Sequence, residues 1–213
     1  MPDKSPPKFR RRSDARPDEI LDAALDQFLA NGYARTTMDA IAKAANLSKG
    51  AVYLYFPSKE ALLEGLVRRA VVPIAGRVIS ALSSGADHPR ETISLILRSL
   101  AQATRDPKVL AVPMLVVREA PNAPNIARIY REHVISQVMP AGIAMLDAAR
   151  KKGTIRDLDP ELTFRSIIGP LIAHALISQV FGMEPEEGLR FDRLVENHLS
   201  ILFDGLLPKG DTA

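Results

Sequence analysis

The sequence has no cysteine and no tryptophan among its 213 residues, and aromatic residues make up only 5%. The lack of cysteine excludes disulfide scaffolds, thiolate zinc sites, iron–sulfur clusters and thiol nucleophiles, and it is typical of a reducing compartment. Long stretches also lack the alternation of apolar and polar residues that marks β-strands. A chain of this length can bury roughly 70% of its unfolded surface. We therefore expect a cytoplasmic, all-α protein with one or two compact domains.

Positive charge is concentrated at the N-terminus. The net charge is +3 overall, but residues 1–16 carry +4 and the remaining residues −1. A basic, proline-containing segment without core-forming residues is expected to be disordered and to be attracted to a polyanion. A solubilising tail is the other ordinary interpretation. This start is polar, so we predict no secretory signal.

One uncharged run, residues 166–183, has 18 residues and reaches the lower length limit of a membrane span. Pro170, His174, Ser178 and Gln179 lie within it and argue against contact with lipid. In a soluble chain, a helix that is apolar on every side is more simply one that is buried on every side. We therefore expect a buried helix and no membrane partner.

Prolines divide the chain into helices, because proline is tolerated in the first turn of a helix and disfavours helix at the residue before it. The first predicted helix begins at Pro17 and ends at Asn31. The fourth is capped by Ser58 and kinks at Pro73. After the first, helices are predicted at residues 37–44, 49–55, 58–84, 90–105, 108–119, 125–152, 161–180 and 187–206.

Residues 37–56 have the pattern of two short helices joined by a tight turn. Ile41, Leu47 and Val52 occupy inward-facing positions. Asn46 stands at the turn, where the backbone must be left-handed, and asparagine accepts that conformation better than most residues other than glycine. These are the requirements of a helix-turn-helix, whose second helix enters the major groove of DNA.

The second helix of this motif carries groups that suit DNA. Ser48 can cap the helix so that its positive end faces a phosphate, and Lys49 adds a charge there. Gly50 and Ala51 are small enough for the helix to lie deep in a groove roughly 12 Å wide. Tyrosine hydroxyls can reach backbone oxygens, and packing is the alternative role for Tyr55. The candidate DNA-binding residues are Thr37, Ser48, Lys49, Gly50, Ala51, Tyr53, Leu54, Tyr55 and Lys59.

Residues 20–66 resemble the N-terminal DNA-binding domain of the TetR/AcrR family of bacterial transcriptional regulators. The sequence departs from the family pattern in two places: Asn46-Leu47 replaces a common Gly-Val, and Tyr55 replaces a common histidine. The resemblance implies an all-α homodimer in which three N-terminal helices bind operator DNA. A divergent C-terminal helical domain then binds a small ligand and dimerises through its last two long helices. The matching residues are Gly32-Tyr33, Thr36-Thr37, Ile41-Ala42, Ser48-Lys49-Gly50, Tyr53, Phe56 and Ser58-Lys59-Glu60.

The chain is thus expected to comprise a disordered basic arm (1–16), a helix-turn-helix DNA-binding domain (17–62), and a ligand-binding and dimerisation domain (63–213). Helices 161–180 and 187–206 are candidates for a four-helix interface between two subunits, with packing inside one chain as the alternative. Candidate ligand-binding residues combine flexible, apolar and a few polar side chains, although core residues have the same composition. They are Met114, Val117, Arg118, Tyr130, Gln137, Met139 and Phe164.

The sequence therefore predicts a nucleoid-associated repressor that a small apolar or amphipathic effector releases from a palindromic operator. An enzyme is a competing class, but GxSxG, P-loop, GxGxxG and HExxH motifs are absent. The four histidines are also too far apart in sequence for a local metal site. We therefore predict no catalytic residue, metal or cofactor. A third class is a membrane-surface or protein-interaction helix bundle that uses the basic arm.

Overall fold

The computed structural model describes residues 8–188 and 190–206, and it describes side chains for residues 16–188 and 190–203. All regular structure in these residues is helical, which confirms the predicted fold class. We call α1–α4 the head and the remaining elements the body. A π-helical segment, Arg131–Ile135, joins α8 and α9. The α-helices are α1 (Lys8–Asn31), α2 (Met38–Ala44), α3 (Lys49–Tyr55), α4 (Lys59–Ala70), α5 (Val72–Ser83), α6 (Pro89–Ala103), α7 (Pro107–Glu119), α8 (Pro124–Tyr130), α9 (Ser136–Lys151), α10 (Pro160–Phe181) and α11 (Phe191–Leu206).

Helix α1 begins earlier than the sequence predicts. We expected a disordered arm over residues 1–16, but α1 starts at Lys8 and contains Pro17. Lysine, arginine and alanine predominate in residues 8–16, and all three have high helix propensity. The expected disorder is therefore not met for residues 8–16, whereas residues 1–7 lie outside the described part of the chain.

The helix predicted over residues 58–84 is divided into α4 and α5 at Val71. Pro73 has no N–H, and its ring would clash with the carbonyl of Arg69 in a continuous helix. Val71 accordingly has a φ of −110° and ends α4 by donating its N–H to the carbonyl of Val67. The predicted kink is thus a full break, and it lies where the head meets the body.

Two hydrophobic clusters form the core. The first combines the head with α7, α8 and the π-helical segment, and Phe28 and Ile126 are among its buried members. The second joins α5, α6 and α9–α11 around residues such as Leu97 and Leu146. Because α7 and α8 share a core with the head, the predicted boundary at residue 62 does not coincide with a division of the core.

Helix α10 is less buried than predicted. Among the described residues it is the helix with enough length and apolar character to cross a membrane, and only 28% of its most apolar stretch is buried. Its exposed side chains include Ile172, Ile177, Val180 and Phe181, the last with 70% of its surface accessible. The expectation that this helix is buried on every side is therefore wrong for the single chain. The exposed apolar side chains on the outer face of α10 are therefore not explained by packing inside one chain.

Helices α9 and α10 approach closely at Gly142. A Cβ atom added to Gly142 would overlap the ring of Phe164. Phe164 is itself buried, so an added methyl group would displace a ring that packs inside the core. Glycine at this position therefore sets the distance between the two helices.

We predict that G142A lowers the free energy of unfolding by about 1–3 kcal/mol, because the added methyl group overpacks this contact. Urea denaturation followed by circular dichroism measures the change. G76A is the matched control, since nothing lies within 4 Å of the corresponding Cβ position in α5. Alanine there should leave stability unchanged or raise it by about 0.5–1 kcal/mol. Equal stabilities of G142A and the parent would contradict the close contact.

Candidate DNA-binding surface and ligand cavity

Side-chain caps fix the starts of α2 and α3. The Thr37 hydroxyl accepts a hydrogen bond from the N–H of Ala40 at 3.1 Å, and the Ser48 hydroxyl accepts one from Ala51 at 3.2 Å. Such caps satisfy N–H groups that have no partner inside the helix. Asn46 lies between the two helices with a φ of +54°, which confirms the predicted left-handed turn. Residues 37–56 therefore fold as a helix-turn-helix.

Helix α3 buries one side and exposes the other. Val52 is fully buried in the hydrophobic cluster that α1, α2 and α4 also form, whereas Leu54 is 85% exposed. Tyr53 and Tyr55 are 42% and 38% exposed. Of the predicted DNA-binding residues, Ala51 and Lys59 are half-buried. The exposed ones are Thr37, Ser48, Lys49, Gly50, Tyr53, Leu54 and Tyr55.

Lys49 forms an ion pair at the start of α3. Its Nζ lies 3.0 Å from Oδ2 of Asp39, and both side chains are more than half exposed. The hydrogen bond and the negative charge of Asp39 raise the pKa of Lys49, so the amine stays charged. Exposed pairs of this kind contribute little to stability. A phosphate group can therefore compete with Asp39 for Lys49.

Lys59 has a different environment from the one predicted. Its Nζ donates hydrogen bonds to the carbonyls of Tyr33 at 2.9 Å and Ala34 at 3.0 Å. The same amine lies 4.8 Å from the centre of the Tyr33 ring. These contacts tie the start of α4 to the turn between α1 and α2. Lys59 thus positions that turn, and its contact with DNA stays a prediction.

Helix α7 holds the same turn from the body. Oε2 of Glu119 accepts a hydrogen bond from the N–H of Tyr33 at 3.0 Å. Arg118 donates to the carbonyl of Phe28 at 3.2 Å, near the end of α1. A cation at the C-terminal end of a helix is favourable because the last carbonyls have no partner within the helix. The last turn of α7 is therefore attached to the head.

Helix α4 also has polar contacts with the body. Asn125 Nδ2 donates to Oε1 of Glu60 at 3.0 Å, and His133 Nε2 lies 3.2 Å from Oε1 of Glu64. These pairs connect α4 to α8 and to the π-helical segment. Together with the shared hydrophobic cluster, they join the head and the body as one packed unit.

A third set of contacts surrounds Asp22 on α1. One of its carboxylate oxygens lies 2.6 Å from Nη2 of Arg69 on α4 and 2.8 Å from Nζ of Lys108 on α7. Burial opposes ionisation of Asp22, but the hydrogen bonds from Lys108 and Arg69 lower its pKa overall. One carboxylate therefore links three helices.

The body encloses a cavity of about 260 Å³. Its walls come from α5–α11 and the π-helical segment, with Val71 at the break between α4 and α5. Among the described lining side chains, Thr104 and Tyr130 have polar atoms and none is charged. The Thr104 hydroxyl donates to the carbonyl of Ala101 at 2.8 Å. Burial raises the pKa of Tyr130 to about 12, so its hydroxyl stays protonated at neutral pH.

Four of the seven predicted ligand-binding residues line this cavity: Met114, Tyr130, Met139 and Phe164. The other three do not. Val117 and Gln137 are exposed at the surface, and Arg118 lies one turn beyond the cavity wall, against α1. The prediction did not include most of the lining, which is aliphatic, because aliphatic residues of a cavity and of a core look alike in sequence. Examples are Ile74, Leu110, Val134 and Ile168.

Comparison with known proteins decides the class of this chain. The model of bacterial regulatory proteins of the tetR family matches residues 20–66. The model of the tetracyclin repressor-like C-terminal domain matches residues 86–195, which is more than half of the chain. The chain belongs to the TetR family. Members of this family are transcriptional regulators that bind DNA through the helix-turn-helix and are not enzymes.

Relatives of this TetR-family regulator align over nearly its whole length. HTH-type transcriptional repressor KstR2 of Rhodococcus jostii is 26% identical over 192 residues, covering 90% of this chain and 91% of that protein. HTH-type transcriptional repressor Rv1474c of Mycobacterium tuberculosis is 26% identical over 183 residues, covering 86% and 92%. The SmeT–triclosan complex of Stenotrophomonas maltophilia superposes with a TM-score of 0.76 at 22% identity, covering 92% and 93%. The structural match confirms the fold of head and body.

We predict that Lys59→Met lowers the free energy of unfolding by about 1–2 kcal/mol, because two carbonyls lose a charged donor. Lys43→Met is the control, since it removes the same charge from an exposed position on α2. Thermal and urea unfolding compare the two variants. A phosphate contact would have another signature: unchanged stability, with the slope of log affinity against log salt reduced by about one unit. That result would contradict the positioning role.

Proposed function

We propose that this regulator is a homodimeric repressor that holds a palindromic operator through α3 of each subunit and leaves it when a small effector fills the body cavity. The observation that carries the proposal is the exposed face of α3, capped at Ser48 and buried on its opposite side at Val52. Residues 17–62 would be the DNA-binding unit and residues 63–213 the effector-binding and dimerisation unit. Association with the nucleoid follows from binding to the operator.

The groups on the exposed face suit a DNA backbone. Lys49 offers a charged amine at the start of α3, with Asp39 as an exchangeable partner. Tyr53 and Tyr55 present accessible hydroxyl groups that can donate to phosphate oxygens. Phosphate contacts of this kind fix the orientation of a recognition helix in the groove.

The exposed side of α10 supports the dimer. Ile172, Ile177, Val180 and Phe181 form an apolar surface there, and Ile201 on neighbouring α11 is also exposed. Contiguous apolar surfaces on soluble proteins mark interaction sites. A second copy of the chain can cover this surface symmetrically through the predicted helices 161–180 and 187–206. A membrane is disfavoured because exposed charged residues accompany the apolar ones on α11. Examples are Asp192, Arg193 and Glu196.

The effector site is connected to the head through α7. Met114 lines the cavity, and Arg118 and Glu119 contact the head from the next turn of the same helix. Val71 lines the cavity at the end of α4. A ligand that requires a wider cavity would therefore favour a different placement of α4 and α7. It acts only through its difference in affinity for the two states, typically about 1–3 kcal/mol.

The cavity favours an uncharged effector. No charged side chain lines it among the described residues, and an ion buried without a partner is strongly disfavoured. The Tyr130 hydroxyl can bind one polar group of the ligand. We therefore expect a small, neutral, largely apolar molecule with one hydroxyl or carbonyl group.

We predict that Lys49→Ala combined with Tyr53→Ala weakens binding to the operator at least tenfold, since both phosphate contacts are lost. Fluorescence anisotropy with the promoter DNA beside the protein's own gene, at fixed salt, measures the affinity. Arg77→Ala is the control, because Arg77 is an exposed cation on α5. It should bind like the parent.

The outcomes of this experiment separate the parts of the proposal. Unchanged affinity of the double variant would end the assignment of α3 as the recognition helix. Sedimentation of the parent complex should show an even number of chains on each palindrome. One chain per operator would contradict the dimer.

We predict that decan-1-ol raises the thermal midpoint of the protein and weakens operator binding, whereas decanoate, with the same chain length and a charge, has neither effect. Tyr130→Phe should reduce the affinity for decan-1-ol about fivefold, because one neutral hydrogen bond is lost. Isothermal titration measures this change. Ser80→Ala is the control, since Ser80 is exposed on α5 outside the cavity lining. Tighter binding of decanoate than of decan-1-ol would contradict a neutral effector.

A further inference from the structure

The geometry of α3 identifies the side chain at the centre of its outer face. Successive residues of an α-helix are rotated by about 100°. Relative to the buried Val52, Gly50 and Leu54 therefore lie on the opposite side, and Tyr53 and Lys49 lie to the flank. Gly50 has no side chain, and nothing lies within 4 Å of its Cβ position. Leu54, which is 85% exposed, is thus the side chain at the centre of the outer face of α3.

Apart from Lys49, α3 has none of the polar side chains that usually read bases. Arginine, asparagine, glutamine, aspartate and glutamate are all absent from Lys49–Tyr55. Bidentate contacts from such side chains are the main means of recognising guanine and adenine. The one charged residue of the helix, Lys49, sits at its first turn and is paired with Asp39. The centre of the recognition face is therefore apolar.

We propose that Leu54 recognises the 5-methyl group of a thymine in each operator half-site. This inference rests on the proposed role of α3 as the recognition helix. Leucine can neither donate nor accept a hydrogen bond, and against the polar edges of other bases it would displace water without replacing its hydrogen bonds. The thymine methyl is the apolar group that unmodified B-DNA presents in the major groove. An 85% exposed leucine at the centre of the face matches that group.

The test begins with selection of an operator from random double-stranded DNA by the full-length protein. Each thymine of the selected site is then replaced in turn by deoxyuridine, which lacks only the methyl group. We expect one position in each half-site to weaken binding about fourfold when substituted, as for the loss of one buried carbon. Substitution in both half-sites should weaken binding about 15-fold, since the two free energies add.

Leu54→Ala should bind the thymine and deoxyuridine sites equally, whereas Tyr53→Phe should keep the preference for thymine. Replacing the same T·A pair by C·G should weaken binding of the parent protein. Placing 5-methylcytosine at that cytosine should restore part of the lost affinity, because 5-methylcytosine carries a methyl group at the same position as thymine. Failure to select any site would refute the proposed function. A selected site with no deoxyuridine effect, or with the same effect in Leu54→Ala, would refute the role of Leu54 alone.

Discussion

The turn between α1 and α2 is held by three helices at once, and the position of the helix-turn-helix depends on it. Glu119 of α7 accepts a hydrogen bond from the N–H of Tyr33, and Lys59 of α4 donates one to the carbonyl of Tyr33. The buried Thr36 hydroxyl lies within hydrogen-bonding distance of carbonyls at the end of α1. A turn whose backbone N–H and carbonyl groups form hydrogen bonds with several neighbouring helices has little freedom to move by itself. Helices α2 and α3 therefore follow the placement of α1, α4 and α7.

Helix α7 and Val71, which directly follows α4, form part of the cavity wall, and this is how a site in the body can influence the head. Met114 faces the cavity one turn before Arg118 and Glu119 reach the head, and Val71 faces it at the end of α4. The π-helical segment adds Val134 to the wall and His133 to the contact with α4. Packed interiors do not deform continuously, so a change of cavity volume is transmitted as a change between discrete arrangements. No separate relay is needed between the two sites.

Local signals made the helix-turn-helix predictable, whereas the cavity depended on distant partners. Ser48, Asn46 and Val52 each obey a rule that involves only neighbours in sequence: a cap, a left-handed turn and an inward position. The roles of Lys59 and Arg118 could not be predicted in the same way, because their partners are backbone carbonyls 25 to 90 positions away. Every residue has a backbone carbonyl, so the sequence does not show which carbonyl accepts a hydrogen bond. Similarly, the aliphatic lining becomes a cavity only when several helices leave space between them.

Helix α10 connects the proposed dimer to the cavity. Leu171 and Ala175 are buried and line the cavity, whereas Ile177 and Val180 are exposed on the outer face. Ile172 belongs to both sets, since it lines the cavity and is 47% exposed. The wall of the cavity is therefore a single helix thick at this point. If α10 faces a second copy as proposed, that copy covers the thin wall, and ligand binding and subunit association are coupled by reciprocal free energies.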